Sequence, residues 1–477
     1  MGRHPQAQVP PRQRVPAPLM RRRLPSGRGA TEQPNATGDG DAALSLRFWC
    51  ALVLTGVAAG LFGAALMWGL FTTEHLVYGY RSGPFESAVE RSSDVRRVVA
   101  LVVAGIVGGL AWYGLRRATP GERADVDDIV WRPGGRLSFR RCLGTSVISE
   151  LVIGAGASLG REQAPKMMGA ASGERIAGWL GLSSAQRRLL VACGGGAGLA
   201  AVYNVPLGGA LFTMEVLLGS AALPSVLPTV ACCFVATATT WVYLPSHASY
   251  IDIPSYHLHL CLLAWACLVG PLVGVLSTGY IRLLGWVTYH RATGARSVPA
   301  MVGSFGLLGL IGWQYPQLFG NGKDAAHDVF IGHGTVLVFL ALFALKPLVT
   351  AAALGSGASG GVFTPTLATG ALLGGCLGGL WSHVWPGGAV GAYAMIGAAA
   401  MIGASMQAPL CGLALVLELT HSGFSLMVPM MLATVLATAV SRYLDGYSIY
   451  SARLPGDADL AEPGPAHAGA PLKAPNF

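Results

Sequence analysis

The stretch Gly160-Arg161-Glu162-Gln163-Ala164-Pro165 sets a carboxylate between a glycine and a proline in otherwise apolar sequence. It follows the apolar run Leu151 to Leu159, and another long apolar stretch begins near Leu189. An ionisable side chain at membrane depth is costly and faces a partner or a water-filled path. Backbone opened by glycine and proline survives there only where it is buried in protein or lines a cavity. The peptide therefore reads as part of a gated ion pathway.

The remainder of the chain agrees with a membrane setting. Charged residues make up 12% of the 477 residues and hydrophobic ones 52%, whereas a soluble domain carries about 25% charged residues. Apolar segments fall roughly at 44–72, 97–115, 142–160, 163–180, 188–219, 222–244, 258–289, 299–319, 334–355, 360–385, 389–404, 408–420 and 424–441. A span takes about 20 apolar residues. Several of these are shorter and broken by Gly or Pro, as happens where helices stop part-way and build a binding site. The expected fold is an all-α integral membrane protein with many tilted, partly discontinuous helices. The 66 glycines serve close helix packing as well as the breaks.

Residues 1–44 are a different material. Arg12, Arg14, Arg21, Arg22, Arg23 and Arg28 stand among prolines and small residues with no apolar periodicity. This reads as a disordered basic tail, kept cytoplasmic because arginines flanking a first span stay inside. The first apolar run comes too late and is too long for a signal peptide. Residues 456–477 form a second polar tail, leaving a multi-pass membrane domain over 45–455. The net charge of +9 owes much to the N-terminal tail. Nucleic-acid binding is excluded, because aromatic interleaving and a folded basic face are both missing. The nine cysteines are scattered through apolar segments without CxxC or Cys/His spacing. They read as small buried hydrophobes, and no metal site is expected.

Gly194 to Glu215 resembles Gly397 to Glu418 at a constant offset of 203. Asn204-Val205-Pro206-Leu207-Gly208-Gly209 falls over Gln407-Ala408-Pro409-Leu410-Cys411-Gly412, and Glu215 over Glu418. The hexapeptide Gly160 to Pro165 likewise matches Gly360 to Pro365 at an offset of 200. Two matches in one order point to duplicated halves, roughly 45–245 and 255–455, arranged as an inverted repeat with the site at their interface.

In both hexapeptides glycine precedes proline and a helical pattern follows. Pro is tolerated in the first helical turn, and free N–H groups at a helix start make an anion site. Gly360 and Gly361 leave backbone accessible next to Phe363. Glu162 would then compete with a halide for these donors, and its protonation or displacement would free the site. A simple ion pair of Glu162 with Arg161 or Lys166 is the alternative. Glu215 and Glu418 read as structural acids that bind backbone donors or a cation. Glu150 faces the interior or pairs with Arg140 or Arg141. Lys346 snorkels or neutralises a helix end, and Asp125-Val126-Asp127-Asp128 reads as a solvated loop or cap. An intramembrane hydrolase would need His327 or His333 beside Ser356 or Ser359, yet both histidines fall in a polar stretch between spans.

Taken together, residues 45–455 resemble the CLC family of chloride channels and proton-coupled chloride transporters. The resemblance rests on Gly160-Arg161-Glu162 with Pro165, on Asn204 through Glu215, and on Lys346 leading to Gly355-Ser356-Gly357-Ala358-Ser359-Gly360-Gly361-Val362-Phe363-Thr364-Pro365. Gln407 through Glu418 and the terminal Tyr447-Ser448-Ile449-Tyr450-Ser451 complete it. It implies an antiparallel duplicated protomer, a homodimer in the cell membrane, inorganic anions as the transported partners and no cofactor. It implies Glu162 as the gating glutamate. Gly160, Arg161 and Gly361 would border the anion, with the amides of Val362 and Phe363 and the Tyr450 hydroxyl as central ligands. Two departures stand out. The family's Gly-Ser-Gly-Ile-Pro segment is replaced by Thr119-Pro120-Gly121-Glu122-Arg123-Ala124-Asp125, so its serine ligand is missing. The position after Glu215, glutamate in proton-coupled members, is Val216. An apolar side chain cannot relay a proton, so the resemblance favours a passive chloride channel over a proton-coupled chloride or fluoride antiporter.

Overall fold

The protein is described here by a computed structural model covering residues 45–131 and 135–453; the two tails lie outside the described residues. The first half contains α1 (Leu46–Tyr78), α2 (Phe85–Arg91), α3 (Asp94–Ala118), α4 (Val126–Trp131), α5 (Phe139–Gly154), α6 (Gln163–Trp179), α7 (Ser184–Tyr203), α8 (Pro206–Phe212) and α9 (Leu223–Thr240). The second contains α10 (Leu260–Tyr289), α11 (Ser297–Ile311), α12 (Lys323–Phe330), α13 (Val336–Gly355), α14 (Phe363–Val384), α15 (Val390–Met406), α16 (Pro409–Thr420) and α17 (Met427–Leu444). A π turn, Thr213–Leu218, prolongs α8. Among the described residues, eight helices are long and apolar enough to cross a membrane.

Apart from α2, the two halves run in the same order, and they pack in the same way. Helix α6 lies on α7 as α14 lies on α15, and α1 on α9 as α10 on α17. The α6–α7 crossing is made by Gly169 against Gly194, where a Cβ would fall about 2 Å from the opposing carbonyl oxygen. Only bare backbone allows that approach. Between the halves, α3 meets α11 and α8 meets α16.

The breaks follow from local chemistry. Asn204 and Gln407 end α7 and α15 in the left-handed region, with φ 57° and 58°. Pro206 and Pro409 then open α8 and α16 at the first turn, where a missing N–H costs nothing. The end of α8 and the start of α16 are joined by Glu215, whose carboxylate accepts the amides of Leu410 (3.4 Å) and Cys411 (2.7 Å). Reciprocally, Glu418 near the end of α16 accepts the amides of Leu207 (3.0 Å) and Gly208 (2.5 Å) at the start of α8. Each acid caps the helix of the other half, so the two helices are antiparallel.

Several sequence expectations need correction. The acidic run opens α4, with Asp125 at the position before its first residue, but Asp127 in its first turn pairs with buried Lys166 instead of being solvated. Glu150 does not pair with Arg140 or Arg141, which lie nine or ten residues away on the same helix, about 14 Å along its axis. Lys346 is fully buried and donates to the carbonyls of Leu318 (3.0 Å) and Gly320 (2.9 Å), ending a short 3-10 turn instead of snorkelling. His333 lies between α12 and α13, and His327 lies in helix α12. Its ring stacks on Tyr250 and bonds the Ile251 carbonyl, while the Ser356 hydroxyl donates to Ala353. No nucleophile pairs with it there. Seven of the nine cysteines are buried; Cys50 and Cys267 are exposed on helix surfaces.

Candidate functional site

The two matching hexapeptides meet at the centre of the molecule. Helix α5 ends at Gly154 and α13 at Gly355, and each chain then turns at a positive-φ glycine, Gly156 (φ 110°) and Gly357 (φ 92°). The opened strands touch in an antiparallel bridge: Gly160 N–H donates to Gly361 O and Gly361 N–H to Gly160 O, both at 2.7 Å. Helices α6 and α14 restart just beyond, each with a proline in its first turn (Pro165, Pro365). Two helix N-termini, each with partial positive charge, are thereby brought to one place.

The Glu162 carboxylate occupies it. Oε1 accepts the Phe363 amide at 2.6 Å, and Oε2 lies 3.2 Å from the Tyr203 hydroxyl and 3.4 Å from the Thr364 hydroxyl. The Tyr203 and Thr364 hydroxyls are themselves bonded at 2.5 Å. The residue is 3% exposed. A Cβ at position 361 would lie 1.9 Å from Oε1, so only glycine lets the carboxylate reach this seat. A carboxylate on a helix start is replaceable there by another anion, because the same donors suit both.

The other sequence-derived site residues fall around this seat with different roles. The amides of Gly160 and Gly361 bond each other's carbonyls. Arg161 turns away; its guanidinium lies over the rings of Phe71 (5.8 Å) and Tyr203 (5.1 Å) and borders a cavity of about 380 Å³. That cavity is also lined by Glu74, Lys323 and Asp324. Val362 caps α14 and is buried. Tyr450 is buried, edge-on to Phe212 at 5.6 Å. Glu162 forms no ion pair with Arg161 or Lys166 among the described residues.

The family described as voltage gated chloride channel matches residues 104–442. The chain belongs to the CLC family. Similar proteins include the "Voltage-gated ClC-type chloride channel ClcB" of Salmonella typhi, 30% identical over 83% of this chain and 96% of that one, and that of Citrobacter koseri, 28% identical with the same coverage. Among solved structures, a slow cyanobacterial Cl⁻/H⁺ antiporter shares the fold with a TM-score of 0.75 at 22% identity, over 85% of this chain and 97% of that one. A CLC-type fluoride/proton antiporter gives 0.67 at 20% identity, over 85% and 98%. The CLC chain is accordingly an all-α, multi-span anion-transport protein.

This CLC structure also gives Lys166 a partner that sequence reading did not assign to it. The Lys166 ammonium is buried, donates to Asp127 at 3.0 Å and lies 4.6 Å from the centre of the Tyr450 ring and 5.9 Å from that of Phe212. It is close enough to act on Glu162 as well. Position 166 follows Glu162 by one helical turn, so a signal existed. Its partner, 39 residues earlier, did not reveal itself without the fold. None of Asp127, Lys166 and Tyr450 borders the 380 Å³ cavity.

Proposed function

We propose that this CLC protein conducts chloride-like inorganic anions passively, through a path closed by the Glu162 carboxylate. The observation that carries the reading is the 2.6 Å bond from the Phe363 amide to Glu162 Oε1: the gate sits on the donor an anion would use. Protonation removes the charge that makes Glu162 a competitor, so conduction rises as pH falls. On the other side of the seat Lys166 and the Tyr450 hydroxyl receive the anion in place of the missing serine, with Asp127 balancing the ammonium when the site is empty. Val216 is buried and apolar, which supports uncoupled conduction. The 33-residue helix α1 leads from a cytoplasmic N-terminus outward, which makes the 380 Å³ cavity the outer mouth. The cell membrane as location and a homodimer with one path per subunit follow from the family resemblance.

Reversal potentials of the purified, reconstituted protein test this reading. At fixed chloride gradient, a tenfold proton gradient is expected to leave the reversal potential unchanged. A shift with the proton gradient would establish coupled exchange of chloride or fluoride instead. That second reading is supported by the shared fold with a Cl⁻/H⁺ and a fluoride/proton antiporter.

A further inference from the structure

Glu150 is the most buried acid that the reading above does not use. It is 1% exposed, and among the described residues neither carboxyl oxygen has a hydrogen-bond partner. Buried polar atoms are almost always paired, so two orphaned oxygens on one side chain need an explanation. Arg161 Nε, also buried, is orphaned too. The charged groups that act on Glu150 are Arg161 and Glu162 from the opened strand and Glu74 from α1. Helix α3, also packed on α5, contributes none. One turn beyond Glu150 on α5, Ile153 lines the outer cavity, as do Arg161 and Glu74. Glu150 therefore stands one helical turn behind the cavity wall, with the gate's carboxylate in its field and no donor occupying its oxygens.

We propose that Glu150 is a second proton-binding site, the station from which Glu162 receives its proton from the outer solution. The proton crosses on an intervening water: the O–H bond of the Glu150 acid breaks as that water gains a proton, and the water gives another of its protons to Glu162, whose neutral acid then leaves the Phe363 amide. The resulting Glu150 carboxylate, beside Arg161, takes a proton from a hydronium ion of the outer cavity and releases water. Glu74 and Asp324 stand on the cavity wall at the entrance. Because the two carboxyls feel each other's charge, the gate titrates as a pair rather than as one group.

This inference rests on Glu162 being the anion gate, and the test separates the two. Chloride efflux from liposomes is measured as a function of external pH for wild type, Glu150→Gln, Glu150→Asp, Glu162→Ala and the Glu150→Gln/Glu162→Ala double variant. Wild type is expected to open over a pH range broader than a one-proton curve, because the two like charges push their titrations apart. Glu150→Gln, without the neighbouring negative charge, is expected to follow a one-proton curve moved to lower pH by about one unit. Glu150→Asp keeps the carboxyl and should retain the broad profile. In the Glu162→Ala background the Gln substitution should change nothing. Superimposable wild-type and Glu150→Gln profiles would overturn the inference and leave the gate intact. Equal losses in both backgrounds would make Glu150 structural and overturn it too. A pH response surviving in Glu162→Ala would instead remove the gate reading. Infrared difference spectra across the same pH range give a readout without transport: loss of one protonated-carboxyl band in Glu150→Gln is expected, and an unchanged band pattern speaks against the site.

Discussion

Replacing Glu162 with alanine removes the plug and leaves the seat. In the closed protein the carboxylate holds one short, charge-assisted bond from the Phe363 amide and two longer contacts with the Tyr203 and Thr364 hydroxyls. A hydrogen bond to a charged group contributes about 2 kcal/mol net, and the longer contacts add little beyond it. An incoming anion must displace that interaction in the wild type but not in Glu162→Ala. Apparent chloride affinity should therefore rise by about 30-fold, the ratio corresponding to about 2 kcal/mol. Isothermal titration calorimetry of the detergent-purified protein reads this directly at neutral pH. Lowering the pH should raise wild-type affinity toward that of the variant, since a protonated Glu162 no longer competes, while the variant stays flat. Equal affinities for wild type and variant, or a variant that remains pH-dependent, would refute the idea that Glu162 and the anion share one set of donors.

The Lys166–Asp127 pair makes a second prediction. Lys166→Met leaves the Asp127 carboxylate buried without a partner and should destabilise the protein by about 3 kcal/mol, seen as a lowered midpoint in thermal unfolding; adding Asp127→Asn should recover most of the loss. Glu215→Gln and Glu418→Gln each weaken two amide caps on the opposite half, so each should cost about 1–2 kcal/mol by the same measurement, with closely similar values because the two sites are equivalent. Glu86, on α2 outside the spans, is pushed up to about 9 from 4.5 by burial and by Asp328, Asp324 and Glu90. Its folded form thus binds a proton more tightly than the unfolded one, so stability is greatest below 4.5 and falls as pH rises toward about 9. Thermal midpoints should decline across that window in wild type, and Glu86→Gln should flatten the decline.

What could be read from the chain, and what could not, divides along chain separation. The breaks at Asn204-Val205-Pro206 and Gln407-Ala408-Pro409 are local: a left-handed residue followed by proline ends one helix and starts another whatever surrounds it. The two hexapeptides were readable for the same reason, and the boundaries of α6 and α14 fall where glycine and proline place them. Pairings were different. Glu215 and Glu418 gave no indication that each caps the other's repeat, because the amides they bind lie 195 to 211 residues away. Asp127 stands among other acids in a polar run, and only folding delivers it to Lys166. Arg161 was named through its adjacency to Glu162, and only the fold places its guanidinium over the Phe71 and Tyr203 rings at the cavity wall.

The bridge between Gly160 and Gly361 has a consequence for how such a molecule could arise. The halves are copies, yet one supplies the plug at position 162 and the other supplies Val362 at the matching place, with the receiving amide beside it at Phe363. A pair of identical ancestral chains assembled in the same antiparallel fashion would have carried either two stoppers or none. Valve and valve seat could be assigned to different partners only once the two copies were separately encoded and free to diverge.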